Sequence, residues 1–241
     1  MINRKNALLA AVPAALLASQ ALAGAPVTTI LSFGYTDLNG VYTRTGTSGA
    51  GFGEGLMTAD AVDVVLGGGT ELRSSGDVTR LSSPNGTATF DTGFVSGADV
   101  ANFHIELSIL NNDGDFADGA GSFTITDLDG DTITGNIAGT WIRGGLNQTF
   151  FNGDLTSVVL TDNGMADGLF NGNSGSFDLN LGFPGIFEGA LVQLFLRPGA
   201  GFFDASFSEV STQVSGEIVP TPGAVALIGL AGAAGLRRRR R

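Results

Sequence analysis

The sequence predicts an all-β protein, a single Gly-rich β-sandwich or jelly-roll-like domain with a short apolar segment at each end. Three observations support this prediction. Apolar and polar residues alternate with a period of two, Asn-Gly, Asp-Gly and Gly-Gly pairs interrupt the alternation, and the chain combines 38 glycines with 17 phenylalanines. Glycine gives turns their backbone freedom, and phenylalanine favours strands and fills a core. Many short strands separated by such turns are typical of sandwiches and jelly rolls.

The N-terminal segment, residues 1–23, has the pattern of a secretory signal peptide. Arg4 and Lys5 precede an apolar stretch, and Ala21 and Ala23 place small residues where a signal peptidase reads the chain. Pro13 lies in the middle of the apolar stretch, which disfavours the alternative of a buried N-terminal helix. We therefore expect an exported protein whose mature chain begins near Gly24.

The charge of the body, residues 24–217, limits its partners. It contains all 23 acidic residues, five arginines and no lysine, which gives it a net charge of −18. Such a surface repels nucleic acid and anionic lipid headgroups. Cations, or a polymer that brings its own cations, are the partners that this charge favours, although it also keeps an exported domain soluble. The chain has no cysteine, which excludes disulfides and thiolate chemistry.

Strands are predicted along the whole body. The alternation is clearest over 132–141, where Ile133, Ile137 and Trp141 share one face of a strand. The same period recurs over 103–109, 123–125 and 177–181. No Pro-rich or Ser-rich linker interrupts the body, so one domain is expected.

Two acidic segments are candidate calcium sites. The first consists of Asp127, Asp129 and Asp131, and the second of Asn111, Asp113 and Asp115. Ca²⁺ takes six to eight oxygen ligands in irregular geometry, which such segments can supply. The first segment departs from the EF-hand pattern, because Thr132 and Ala138 stand where that loop has glycine and glutamate. An Asp-Gly hairpin turn between strands 123–126 and 131–142 explains the same residues without a metal.

Signals for catalysis are weak, and we predict a protein that is not an enzyme. The single histidine, His104, falls on the polar face of its strand, and a Ser-His-Asp triad would need it in a pocket beside a nucleophile. Glycoside hydrolysis requires two carboxylates about 5 to 10 Å apart, and nothing in the sequence singles out a pair. A secreted hydrolase that acts on exopolysaccharide is the alternative.

The C-terminal segment, residues 218–241, has three parts: a Pro-containing motif over 219–223, an apolar span over 224–236 and a basic cluster. The motif consists of Val219, Pro220, Thr221, Pro222 and Gly223, and the cluster of Arg237, Arg238, Arg239, Arg240 and Arg241. Together with the signal peptide, this arrangement resembles the PEP-CTERM sorting signal of exported bacterial proteins, although Thr221 stands where the family usually has glutamate. The resemblance implies processing by an exosortase-type membrane enzyme and a destination at the cell surface or in exopolysaccharide.

The physical properties of this tail favour a transient membrane anchor. The thirteen residues of 224–236 rise only about 20 Å as a helix, against a hydrocarbon core of about 30 Å. The five arginines stay on the cytoplasmic side by the positive-inside rule and hold the body outside the membrane. We expect cleavage near the prolines to release the body, and a permanent single-span anchor is the alternative. Taken with the weak signals for catalysis, the resemblance to the PEP-CTERM signal implies a structural or polysaccharide-associated protein of the cell surface or extracellular matrix.

Overall fold

The computed structural model describes residues 28–65, 71–95, 101–163, 167–182, 185–197 and 201–221. All strands lie in one compact unit, Thr29–Thr221, and nearly all of the second unit, Met1–Thr28 with Pro222–Arg241, lies outside the described residues. The strands are β1 (Leu31–Thr47), β2 (Gly53–Asp60), β3 (Asp63–Val65), β4 (Glu71–Arg73), β5 (Ser75–Arg80), β6 (Gly86–Phe90), β7 (Asn102–Ile109), β8 (Phe116–Thr126), β9 (Thr132–Arg143), β10 (Thr149–Thr161), β11 (Leu169–Asn171), β12 (Ser176–Asp178), β13 (Phe187–Leu196) and β14 (Phe207–Pro220). The all-β prediction is confirmed.

Eight of these strands form a closed antiparallel ring in the order β1, β2, β7, β8, β9, β10, β13 and β14. The ring closes because β1 pairs with β14 on one edge and with β2 on the other. The first half of β1 pairs instead with β5, which carries β6 as a side extension. Closure satisfies the backbone groups that an open sheet leaves at its edges.

The interior of the ring is filled by the residues that alternate inward along each strand. Ile133, Ile137 and Trp141 are buried on β9, as the periodicity predicts. Glycine permits close approach in places where strands curve. An added Cβ at Gly121 on β8 would collide with the backbone oxygen of Glu106 on β7, so this position accommodates no larger residue without a backbone shift.

Aromatic residues close both ends of the ring. At the end that holds the β13–β14 connection, the Phe203 ring lies 5.0 Å from Trp141 and 4.9 Å from Tyr42, measured between centroids. At the opposite end, Phe90 and Phe170 are in edge contact at 6.3 Å. Phe90 comes from the β2–β7 excursion and Phe170 from the hairpin of β11 and β12, which we call the cap hairpin. The two excursions together cover this second end, which we call the capped end.

Both ends of the compact unit lie at the capped end of the ring, because β1 begins there and β14 finishes there. β14 continues past residue 217, the end of the body predicted from the sequence. Ile218 is fully buried and accepts a hydrogen bond from the backbone N–H of Ile30. Val219 and Pro220 still pair with Glu188 and Phe187 of β13. The folded sheet therefore includes the first residues of the Pro-containing motif.

Candidate functional site

The acidic segment at 127–131 is the turn that joins β8 to β9, at the capped end of the ring. The turn is closed by a hydrogen bond of 3.0 Å from the Asp127 backbone N–H to the Asp131 carbonyl oxygen. Gly130 has a φ of 100°, a conformation that favours glycine. The hairpin-turn interpretation is therefore correct for the backbone. The three carboxylates nevertheless converge, with one oxygen from each within 4.8 Å of the others.

Asp127 organises the turn from inside the protein, where its side chain has no solvent exposure. Its Oδ1 accepts hydrogen bonds from the backbone N–H groups of Asp129, Gly130 and Asp131, at 3.1, 3.0 and 2.8 Å. Its Oδ2 accepts a fourth, at 2.6 Å, from the backbone N–H of Asn171 in the cap hairpin. One carboxylate thus joins the turn to a segment more than forty residues away in the sequence.

Further contacts fix the turn to the connection between β10 and the cap hairpin. The Asn171 backbone oxygen accepts a hydrogen bond from the Leu128 N–H, and its side-chain amide donates to Asp129 Oδ2 at 3.3 Å and to Asp167 Oδ2 at 3.2 Å. Asp131, which is 1% exposed, accepts a bond of 2.8 Å from the Asn163 N–H. We call Asp127, Asp129 and Asp131, with Asn171, the acidic latch.

Burial dominates the electrostatics of the acidic latch. Burial raises the pKa of Asp127 to about 7. The backbone N–H donors act in the opposite direction, because they favour the ionised form and so lower the pKa. The hydrogen bond with Asp129 also raises this pKa, because the two side chains share a proton more easily than they carry two charges. Burial therefore disfavours an uncompensated negative charge on Asp127, which a proton or a bound cation would neutralise.

The donor set of the acidic latch fits a hard cation such as Ca²⁺, which prefers carboxylate and amide oxygens. Asp129 Oδ1 is shielded from solvent and receives no N–H or O–H donor from the described residues, so it is available to an ion. Asp127 Oδ1 already accepts three N–H groups, which leaves Oδ2 as its better ligand atom. Asp127, Asp129 and Asp131 would thus hold the ion.

The second predicted calcium segment has different contacts. Asp113 is exposed, and its Oδ1 accepts the backbone N–H groups of Asp115 and Phe116 at 2.9 and 2.7 Å. These bonds lower the pKa of Asp113. The Asn111 amide donates to Asp118 at 2.7 Å. The segment is a turn that also contacts β2 and β9, since the Asn111 N–H donates to Glu54 and the Arg143 N–H donates to the Asp115 carbonyl oxygen. Within the described part of the chain, Asp127, Asp129 and Asp131 form the only group of three acidic or histidine side chains close enough to share an ion.

His104 lies on the outer face of the ring, as its place in the alternation predicts. Its Nδ1 is 2.6 Å from Asp60 Oδ1 on the neighbouring strand β2, and both side chains are about 40% exposed, at 40% and 39%. Asp60 is the direct register partner of His104. The pair is an exposed cross-strand contact on a convex sheet surface.

The residues of the predicted sorting signal fall in two places. Val219 and Pro220 belong to β14, and Thr221 follows it. Pro222, Gly223, the span 224–236 and the five terminal arginines lie outside the described residues, as does the predicted signal peptide. Among the described residues, no helix has the length and hydropathy needed to span a membrane.

The sequence did not reveal the partners that complete the acidic latch. Asn163, Asp167 and Asn171 sit in Asn-Gly and Asp-Gly contexts that are indistinguishable from ordinary turns in this Gly-rich chain. Comparisons of the chain with protein-family models, with curated proteins and with solved structures gave no match.

Proposed function

We propose that this chain is an exported, non-catalytic protein of the cell surface or extracellular matrix, associated with polysaccharide, whose capped end is held together by Ca²⁺. The acidic latch is the observation that carries the calcium proposal, whereas export and surface location rest on the sequence patterns at the two termini. Three carboxylates converge where the cap hairpin meets the ring, and a divalent ion there would neutralise their charge. Binding would stabilise the folded body by mass action, by about 2.7 kcal/mol at a hundredfold excess over Kd.

The geometry of Asp127 supports a structural role over the alternative of a secreted hydrolase. A carboxyl with a pKa near 7 has the titration of a general acid. This carboxyl is fully buried, however, and both of its oxygens accept backbone N–H groups. It has no path to a glycosidic bond, so its raised pKa serves the fold.

The body of this exported protein is proposed to be a flattened ring with the packing of a β-sandwich. Contact across the ring supports this arrangement. The Phe33 ring on β1 stacks on Phe123 of β8 at 5.7 Å, although β2 and β7 lie between these strands along the sheet. Two walls whose side chains meet directly enclose a packed core.

Sorting is proposed to follow the PEP-CTERM-like tail, with transient membrane insertion and cleavage by an exosortase-type enzyme. The end of β14 supports a cut after Pro220. Pro220 is buried and paired with Phe187, whereas Thr221 is partly exposed and lies beyond the strand. Mass spectrometry of the surface protein should therefore give a C-terminus at or beyond Pro220 and before the arginine cluster. Recovery of an intact Arg241 from the mature fraction would instead identify a permanent anchor.

The calcium proposal is tested by thermal unfolding of the 24–221 fragment in chelator and in millimolar Ca²⁺. We expect Ca²⁺ to raise the Tm by about 5 to 10 °C, the shift that a gain of 2 to 3 kcal/mol gives in a domain of this size. Asp129→Asn should abolish the gain, and the matched variant Asp113→Asn should keep it. Equal melting temperatures in both buffers would contradict calcium binding and leave the turn as a metal-free contact of the cap hairpin.

Association with polysaccharide is tested by incubating the same fragment with exopolysaccharide from its host. Co-sedimentation without release of soluble sugar is the expected result. Sugar release that disappears on substitution of one Asp or Glu would establish the hydrolase alternative.

A further inference from the structure

A row of apolar side chains crosses the outer face of the ring at the end opposite the cap. Phe116 on β8 pairs with Ile142 on β9, Ile142 pairs with Phe150 on β10, and Phe150 pairs with Phe195 on β13. All four side chains point outward, because their neighbours Ala117, Trp141, Phe151, Leu194 and Leu196 are buried. The register thus aligns three phenylalanines and an isoleucine across four strands.

The row is a solvent-accessible surface. Phe116 is 52% exposed, and the other three side chains are half-buried. The rings of Phe150 and Phe195 lie 5.3 Å apart with an interplanar angle of 41°. Strands in a sheet are separated by about 4.8 Å, so the row extends roughly 15 Å from β8 to β13.

A second row, of hydroxyl and amide side chains, runs directly beside the first. Thr140 pairs with Asn152, two residues from Ile142 and Phe150 on the same strands. The register between β10 and β13 shifts after Phe151, which leaves Asn152 opposite the bulge that contains Gln193, and Gln193 pairs with Ser215 on β14. The row leads into a shallow cleft of about 230 Å³, which Gln193, Ser215 and Gln213 line together with Gly34 and Thr36.

We propose that these two rows form a binding surface for a neutral polysaccharide chain, and we call it the aromatic-amide surface. The proposal rests on the polysaccharide association proposed above and specifies where and what the protein binds. The apolar C–H faces of sugar rings can pack on the phenylalanines, and sugar hydroxyls can exchange hydrogen bonds with the amides and hydroxyls of the second row. Amide groups both donate and accept, which suits hydroxyl ligands.

The charge of this surface favours a neutral polysaccharide over other ligands. Neither row contains a cationic side chain, and Asp118 lies at the β8 end of the polar row, opposite Thr140. An anionic polysaccharide or lipid surface would meet a body with a net charge of −18 and no lysine. A second copy of the protein would bring the same charge to the contact, so self-association is also disfavoured.

The test uses the full chain in a polyoxyethylene detergent, which has no sugar headgroup. Retardation in native gels is measured with two probes, the neutral polysaccharide dextran and the anionic polysaccharide alginate, and co-sedimentation is measured with microcrystalline cellulose and with the host exopolysaccharide. We expect binding to at least one neutral probe. Phe150→Ala and Gln193→Ala should each weaken this binding about tenfold, the loss of roughly 1.4 kcal/mol.

Two further variants keep the test independent of folding. Phe116→Ser changes the most exposed member of the row and should also weaken binding, whereas Leu81→Ala, with a side chain that is 51% exposed near the capped end, should bind like the wild type. Melting temperatures identify any variant that loses binding through unfolding. Wild-type affinity in all three row variants, or binding to alginate alone, would overturn the proposal.

The outcomes separate this inference from the function on which it rests. Binding of the host exopolysaccharide that the row variants leave unchanged would overturn the aromatic-amide surface and preserve the proposed association. An absence of binding to the host polysaccharide and to every probe would overturn both. Concentration-dependent dimerisation that the row variants abolish would assign the surface to a second copy, and thus contradict the inference.

Discussion

Raising the pH from 5.5 to 8 in the presence of a chelator should lower the free energy of unfolding by about 2 kcal/mol through Asp127 alone. Folding raises the pKa of this carboxyl from 3.8 to about 7, so the folded chain holds a proton that the unfolded chain has already released. Its stabilising contribution is complete below pH 3.8 and is lost as the pH rises through 7. Ordinary carboxylates are already ionised above pH 5.5, so a change in the free energy of unfolding between pH 5.5 and 8 reports on Asp127.

The assay is urea unfolding of the 24–221 fragment at half-unit pH intervals, in chelator and in Ca²⁺. A His104→Gln background removes the only imidazole in the chain. In that background, Asp127→Asn should flatten the profile in chelator, whatever its effect on absolute stability. Ca²⁺ should also reduce the slope, because the ion replaces the proton and binds more tightly as the carboxylates ionise. A flat profile in chelator, or a slope that Asp127→Asn leaves unchanged, would refute the linkage.

Three other predictions concern the fold. Asp127→Ala should lower the free energy of unfolding by about 3 to 6 kcal/mol, measured by urea unfolding, because four backbone N–H groups lose their acceptor. Gly121→Ala should prevent folding or lower the melting temperature by more than 10 °C, about 3 kcal/mol or more, because the new Cβ collides with backbone atoms. The control variant Gly46→Ala places its Cβ in open space and should melt like the wild type. A fragment that ends at 217 should be less stable than one that ends at 221 by about 2 to 5 kcal/mol, because it lacks the buried Ile218; equal urea midpoints would contradict the importance of the last strand residues.

Local patterns predicted several of the strands, although the alternation over 177–181 extends beyond β12, which ends at Asp178. The alternation around Ile133, Ile137 and Trp141 predicts a strand with one buried face, because side chains in extended backbone alternate between faces with a period of two. The turn at 127–131 was predictable for the same local reason, since an Asp-Gly pair between two alternating segments favours a hairpin. The charge of the body and the patterns at the two termini likewise depend on composition and order alone.

Pairing between distant strands was not predictable from these patterns. The ring closes through β1 and β14, which lie more than 150 residues apart, and no local signal states which edges will meet. The end of the body shows the same limit. The sequence places a boundary at 217 because a Pro-containing motif follows, whereas β14 continues to Pro220 because β13 offers it a partner.

The acidic latch and the aromatic-amide surface both combine these two levels. The sequence by itself determined that Asp127, Asp129 and Asp131 share one turn, and that Phe150 and Gln193 lie on strands. Only the tertiary structure decided that Asn171 reaches Asp127, and that Phe150 stands beside Phe195. The physical reason is that side-chain direction follows from the local backbone, whereas the neighbours a side chain meets depend on the strand register and on loops that bring remote segments together.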